Sequence, residues 1–455
     1  MRIALATAAF LLSCTSCSTP SFLASPPAED VVFVIVDTLR ADHTSLCGYA
    51  RPTTPGLEDL AAAGASYTCD GRSPASWTLP SHATYFTGQT IPEHHLDSMV
   101  KPDWSGIDTL ADRFVARGYT TVLVTANPVL VTVPLLAKGF QKVLAAHRLD
   151  QWRGPMLARH VRAALLDAPA DKPLFLVVNI MDAHDPYPEI PADARWLPPQ
   201  PALDFQVRDE TEEHDYQRYM KGEMSGEQSA AWLTSVANGY DWGVRSADDT
   251  VRGVLAQVKK QRQPAHEARI VIASDHGEFL GEHGMVRHGG WLWEPVMRVP
   301  LIVADTRADH PPPKLPTGPF AMATVFDLVL DGKLPDKPRP VVAFSSPTAD
   351  GINHGTHGVS MWGHGGDKVI WTSGVPISEG VFAQYNLTTD PGEASPTEAD
   401  STASLTLSTT TQVHAYRSHV DWRNKHRADS NEADVAALRA LGYVAPEPNP
   451  AGELP

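Results

Sequence analysis

Apolar residues gather along this chain in short continuous runs, and several of the runs end on a polar side chain. Val31 to Asp37, "VVFVIVD", is largely β-branched and closes on a carboxylate. A run that is apolar on both faces is expected of a central parallel strand whose C-terminal end opens on a site. The pattern returns at Gly118 to Asn127, Lys172 to His184 and Ala268 to Glu278. Helix-like sequence stands between them, as in "TTPGLEDLAAAGASY", closed by Gly64, and "DWGVRSADDTVRGVLAQVKKQ" ahead of the last run. Strands alternating with helices predict an α/β sheet with right-handed crossovers. In such sheets reactive polar groups collect at strand C-termini, where Asp37, Asn127, Asp182, His184, Asp275 and His276 all fall.

Between Pro186 and about Glu227 the regularity stops, and proline and charge dominate ("PYPEIPADARWLPPQPALD", "RDETEEHDYQ"). Such a stretch inside a compact domain predicts a surface insertion, in some folds a lid over the site. Its acidic part reads as a solvated surface. From Pro316 the texture turns hairpin-like, in "HGVSMWGHGGDKVIWTSG" and "GVFAQYNLTTDPGE". A capped helix is expected over Asn431 to Tyr443. The expected organisation is an α/β domain over 31–315, with the insertion at about 186–227, and a smaller C-terminal subdomain over 316–455. No internal repeat is found.

The start of the chain stands outside this pattern. Met1-Arg2 leads into an apolar run, Ile3 to Leu12, of the length of a signal-peptide core and too short to cross a bilayer. "LLSC", Leu11 to Cys14, follows, and a small residue before a cysteine at that place resembles a bacterial lipobox. The expectation is a signal peptide and lipobox over 1–17, lipid on Cys14 and a tether over 18–30. The mature protein would then be exported, anchored to a membrane and facing the periplasm or cell surface. Ordinary cleavage and a soluble exported protein is the alternative. For Cys47 and Cys69, pairing and two separate thiols both stay open.

Charge narrows the partners. Lys and Arg number 37 against 53 Asp and Glu, a net charge of −16. That argues against nucleic acid, whose phosphates are met by basic stripes. A small anionic substrate is still compatible, because a metal or a few local cations override the global field.

One segment carries an ambiguity of its own. In "SWTLPSHATYFTG", Ser76 to Gly88, Thr78 reads locally as a helix N-cap with Pro80 in the first turn. It reads equally as a nucleophile, since a helix N-terminus suits attack on an anionic ester. The wider chain bears on the choice. In order, "VDTLRADHTSLCGY", "TLPSHATYFTGQTIPEHH", "NIMDAHDPY", "YDWGVRSADDTV", "SDHGEFLGEHG", "RHGGWLWEPVMRVPLIV" and "YNLTTDPGE" resemble the sulfatase family of the alkaline-phosphatase superfamily.

That resemblance runs from about Val31 to Tyr443. It implies an alkaline-phosphatase-like α/β sandwich with a large, mostly parallel central sheet flanked by helices. A smaller C-terminal subdomain with a short antiparallel sheet and terminal helix would complete it. It also implies one divalent cation held by Asp37, Thr78, Asp275 and His276. A mostly oxygen donor set suits calcium, magnesium or manganese, and His276 admits zinc. Such an ion lowers the pKa of a bound hydroxyl and screens an incoming oxyanion. Unaided, a threonine is a poor nucleophile.

By the same resemblance His184 is a general acid near the leaving group, and His184 and His288 are substrate contacts. His82 stands where relatives carry an arginine that braces the nucleophile. Asn127 lies close to a lysine position and is expected to contact substrate. Thr38 stands where many sulfatases place a second metal-binding aspartate, so fewer carboxylates are expected on the ion. His94, His95 and His283 read as structural, and Trp291 and Trp293 as core packing. A second metal on Asp182 with His184 or His288 is not expected.

One departure from the family is informative. Its motif begins with a cysteine or serine that is oxidised to formylglycine, whereas this chain reads Thr78-Leu79-Pro80-Ser81-His82. Threonine cannot give that aldehyde, so no formylglycine is expected. A hydrated aldehyde expels sulfate with its second hydroxyl, an exit that a threonine sulfate lacks. A phosphothreonine is released by in-line attack of water. The expected activity is therefore hydrolysis of sulfate or of phosphate or phosphonate esters, with phosphorus favoured. Phosphotransfer to an envelope lipid or glycan is an alternative, and a non-catalytic binding lipoprotein on the same fold is another.

Overall fold

A computed structural model describes residues 29–97, 103–198, 210–263, 266–346, 356–374 and 377–426. The expected signal peptide, Cys14, most of the tether and the helix over 431–443 lie outside the described residues. Among the described residues no helix is long and apolar enough to cross a membrane.

Ten strands are met first along the chain: β1 (Asp30–Val36), β2 (Ser66–Arg72), β3 (Thr120–Thr125), β4 (Lys142–Ala145), β5 (Leu174–Ile180), β6 (Ala268–Ser274), β7 (Phe279–Leu280), β8 (Val286–Arg287), β9 (Arg298–Asp305) and β10 (Phe320–Ala321). Eight of them form one sheet in the order β10-β2-β9-β6-β1-β5-β3-β4, and β7 and β8 make a separate ribbon. Every pairing in the large sheet is parallel except those of β9, which runs antiparallel to both β2 and β6. The four expected strands are β1, β3, β5 and β6. All seven residues of β1, β5 and β6 are buried, as a strand covered on both faces requires.

Side-chain alternation divides β1 between two cores. Val31, Phe33 and Ile35 pack with Leu79, Ala83 and Phe86 of the Thr78–Thr87 helix. Val32, Val34 and Val36 pack with Tyr240, Val244 and Val251 of the long Gly226–Arg262 helix. Ser225 caps that helix by accepting from the Gln228 N–H. The sheet is thus sandwiched between helical layers, and its parallel strands bring their C-terminal ends to one edge.

The chain leaves this sandwich later than the expected change at 316. Phe320 and Ala321 pair with β2, and Val325, Phe326 and Leu328 of the helix Val325–Asp331 join the first core. Afterwards β11 (Val342–Ser345), β12 (His357–Trp362), β13 (Asp367–Ser373), β14 (Val381–Asn386) and β15 (Thr397–Glu398) form a second, antiparallel sheet. The helix Ser404–His426 packs on it and was not foreseen. Its buried stripe is Thr406, Thr409, Val413, Tyr416 and Val420. The spacing is helical, but two threonines hide it from an apolar pattern.

Cys47 and Cys69 form a disulfide, which settles the question left open above and ties the turn after β1 to β2. The insertion is less irregular than its composition: Glu210–Met220 is a helix. Its Tyr216 lies under the Arg287 guanidinium at 4.1 Å. Arg287 Nε in turn reaches Asp185 Oδ2 at 3.1 Å, so the insertion helix lies against β8 and the loop that follows β5.

Candidate active site

Three strand ends converge on a buried cluster. Asp37 follows β1, Asn127 follows β3, and Asp275 and His276 follow β6. Thr78 comes from the other side, at the start of its helix. It is the first helical residue, with Trp77 at the cap position and no side-chain cap, so the N-cap reading does not hold. Its hydroxyl lies 3.4 Å from His276 Nε2, on the side of Asp275. His276 Nε2 is 3.4 Å from Asp275 Oδ2 and 3.7 Å from Asp37 Oδ1.

Among the described residues, Asp37, Asp275 and His276 are the only group of three His, Cys, Asp or Glu side chains able to bring one ligand atom each within 4.8 Å of the others. The donor set fits a divalent ion. His276 Nδ1 lies 2.9 Å from the Gly277 carbonyl, which can only accept, so Nδ1 carries the proton and Nε2 presents a lone pair. Asp37 Oδ1 and Asp275 Oδ2 are buried with no hydrogen-bond partner. Burial pushes Asp37 up to about 6 and Asp275 to about 7. A buried carboxylate oxygen that no donor meets ordinarily faces a charged partner.

Strain marks the same place. Thr38, next to Asp37, adopts φ 58°, an outlying conformation for a β-branched residue. Its Oγ1 donates to the Asp37 and Ala183 carbonyls and its N–H to Asp275 Oδ1, so it shapes the turn and offers no carboxylate. Such outliers persist where the surroundings fix them, and these three bonds do so.

The other expected residues separate into two groups. His184 and His288 join the cluster, with the His288 ring centroid 4.5 Å from His276 and 4.9 Å from His184. His184 Nδ1 bonds to the Asp185 carbonyl. Burial pushes His184 down to about 4 and His288 well below the usual imidazole range. The cluster residues are fully buried, whereas His288 keeps 11% of its side chain exposed, so the approach lies on the histidine side.

Asn127 and His82 act one layer back. Asn127 Nδ2 donates to Asp37 Oδ2 at 3.0 Å while its Oδ1 accepts from the Val129 N–H. Its amide therefore braces a cluster carboxylate. His82 Nδ1 bonds to the Thr78 carbonyl at 2.9 Å and lies 3.5 Å from Asp275 Oδ2, bracing the backbone of Thr78. Burial pushes it down to about 3. Asp182 is elsewhere: its Oδ1 takes bonds from Ser246, Thr250 and the Gly154 N–H.

The sequence reading missed Glu278 and Tyr187. Glu278 is fully buried, accepts from Tyr187 Oη at 2.7 Å, and meets His288 Nδ1 at 3.3 Å. Burial pushes it up to about 7. Both residues stood inside matched segments, "SDHGEFLGEHG" and "NIMDAHDPY", without an assigned role.

Residues 29–324, more than half of the chain, match the model of the Sulfatase family. The chain belongs to the sulfatase family. It is an ester hydrolase. Solved structures similar to this sulfatase include the phosphonate monoester hydrolase of Agrobacterium radiobacter, at 17% identity and TM-score 0.62, covering 88% of this chain and 96% of that one. The phosphonate monoester hydrolase of Silicibacter pomeroyi is similar at 18% identity and TM-score 0.61, covering 86% and 96%. A putative sulfatase from Bacteroides thetaiotaomicron follows at 16% identity and TM-score 0.57, covering 88% and 93%. At these identities the likeness concerns the fold, and it agrees with the expected α/β sandwich. No curated protein matches the sequence significantly. The family is metal-dependent, and the Asp37–Asp275–His276 cluster is where this sulfatase has the groups for an ion.

Proposed function

We propose that this sulfatase hydrolyses phosphorus esters by covalent catalysis at Thr78. The observation that carries the reading is the Thr78 hydroxyl at the helix start, within reach of His276 and Asp275. Asp37, Asp275 and His276, with Thr78 Oγ1, would hold one divalent ion. Bound there, the ion would acidify the hydroxyl and offset charge on the ester.

The chain's own residues supply the remainder. Thr78 Oγ1 bonds to phosphorus as the bond to the leaving oxygen breaks, and its hydroxyl proton passes through water to that oxygen, which departs as the alcohol while Asp37 and Asp275 stay ionised. His184 and His288 lie on the open side, where they meet the leaving group and the non-bridging oxygens. Water then attacks phosphorus, the Oγ1–phosphorus bond breaks, and Thr78 regains its hydroxyl. The helix start behind Thr78 favours the anionic ester electrostatically.

Charge favours a substrate class. Asp37 and Asp275 balance one divalent ion, and neither bonds to a lysine or arginine among the described residues. A singly charged group suits that balance better than a dianionic phosphomonoester. Phosphodiesters and phosphonate monoesters are the proposed substrates, with sulfate esters poor because a threonine sulfate has no internal exit. Export, and lipid on Cys14, are part of the same reading; the lipobox-like start and the Cys47–Cys69 disulfide support it.

The test uses metal-loaded protein with aryl phosphodiesters, phosphonate monoesters, phosphomonoesters and sulfates, quenched during turnover. A phosphoryl group on Thr78 in peptide mass spectra is expected. Full turnover in Thr78→Ala would overturn the covalent step, and transfer to an added alcohol in preference to water would make the enzyme a phosphotransferase.

A further inference from the structure

We propose that Glu278 is a positioning residue, holding the His288 imidazole by its Nδ1–H so that Nε2 is presented to the ester. The inference rests on the Thr78 reading above, because it gives His288 its place beside the reacting group.

Three histidines surround the site, and each is tied down through Nδ1. His276 is anchored on the Gly277 carbonyl and His184 on the Asp185 carbonyl. For His288 the anchor is a side chain, Glu278 Oε1 at 3.3 Å. Without it the ring has two broadly equivalent orientations that exchange its nitrogens. A carboxylate on Nδ1 fixes both tautomer and orientation.

Glu278 is itself held from both ends. Its Oε2 accepts from Tyr187 Oη, and its backbone carbonyl accepts from Arg40 Nη1 at 2.8 Å. Arg40 is locked by Asp42 and Glu282, each at 2.7 Å. Tyr187 stands edge-on to Tyr240, whose hydroxyl bridges the Arg40 N–H and the Thr38 carbonyl. Gly239 makes room for the tyrosine, since a Cβ there would lie 2.8 Å from Tyr187 Cδ2. A rigid scaffold thus runs from the turn after β1 to His288. Glu278 is not one of the three clustered ligand groups, so ion binding does not account for burying its carboxylate.

The experiment compares Glu278→Leu and Glu278→Gln, each alone and with His288→Ala, in metal-loaded protein hydrolysing bis(4-nitrophenyl) phosphate. Loss of an orienting partner is expected to lower kcat about 10- to 100-fold in Glu278→Leu. Glutamine keeps an acceptor for Nδ1–H and is expected to recover most of that loss. In the His288→Ala background the leucine change is expected to cost no more than about twofold. An equal loss in both backgrounds, or a glutamine variant as poor as leucine, would overturn the proposal. Metal content and unfolding midpoints are measured alongside. If the leucine variant does not fold, Tyr187→Phe takes its place with the same coupling criterion. The coupling is a ratio of rates, so it stays readable if no adduct forms on Thr78; absence of that adduct is charged to the covalent reading instead.

Discussion

Two of the places where this fold buries an aspartate beside histidine end in opposite electrostatic states. Asp97 Oδ2 lies 2.7 Å from His419 Nε2 and 2.9 Å from Arg423 Nη1, and Ser346 Oγ donates to it as well. Burial pushes Asp97 up, but His419 and Arg423 outweigh it and hold the carboxyl well below its usual range. His419 and Arg423 belong to the helix Ser404–His426, so this cluster fastens the C-terminal helix to the segment after Thr90. Asp37 and Asp275 are as deeply buried and have no such cation, and burial wins, raising them to about 6 and about 7. A cluster closed by its own cation holds the fold together. A cluster that needs a cation from outside is a binding site.

The strongest way to break this contrast is to make the same substitution in both places. Asp275→Asn removes a proposed ligand, and turnover should fall by about 10³-fold, the size of a few kcal/mol of lost charge stabilisation. Elemental analysis should show the ion gone while the folded protein is retained. Asp97→Asn leaves Arg423 without its partner, so it should lower unfolding free energy by about 3–5 kcal/mol. Its metal content and its turnover at low temperature should stay close to wild type. Urea midpoints and metal analysis on both variants decide; an Asp97→Asn protein that loses metal would erase the distinction.

The sequence made one of these clusters legible and left the other hidden, for physical reasons. Asp37, Asp275 and His276 each end an apolar run, and parallel strands align their ends whatever lies between them. Asp97, His419 and Arg423 come from segments separated by 326 residues at the extremes, with no period connecting them. β9 was missed as a strand although "RVPLIV" is apolar, because it sits in a segment read for chemistry. Thr78 was legible as a candidate nucleophile with a cap as its alternative, and only coordinates distinguish the cap position from the first helical one. Asn127 was placed at the right strand end, but its amide direction depends on Val129 and Asp37 together.

Asn127→Ala sharpens the contrast at smaller scale. The site differs from the Asp97 cluster in that neutral donors, Asn127 and Asn179 at 3.0 and 3.4 Å, orient Asp37 where charges would otherwise do so. Removing the nearer amide should weaken metal affinity about 10- to 100-fold, as loss of an outer partner does elsewhere. At saturating metal most of the turnover should return. A metal titration of activity checks this, and a loss that excess metal leaves unchanged would make Asn127 a substrate contact after all.

The smallest effect reads in degrees. Without metal, the folded protein keeps protons on Asp37 and Asp275 up to about pH 6 and 7, whereas the unfolded chain releases them near the ordinary 3.8. Folded pKa values lie above unfolded ones, so this pair stabilises the metal-free fold below about pH 4. That contribution is lost as pH rises to about 7. Metal needs both carboxylates ionised, so binding displaces these protons and tightens as pH rises through the same window. The rise in Tm on adding manganese should therefore be slight at pH 5 and grow to a few degrees at pH 8. Asp97 has the opposite sign, its folded pKa lying below the unfolded one, and its contribution disappears at lower pH. Asp97 touches none of the proposed ligands, so it cancels when protein with and without metal are compared at each pH. A manganese shift in Tm that is flat from pH 5 to 8 would mean that the ion binds somewhere other than between Asp37 and Asp275.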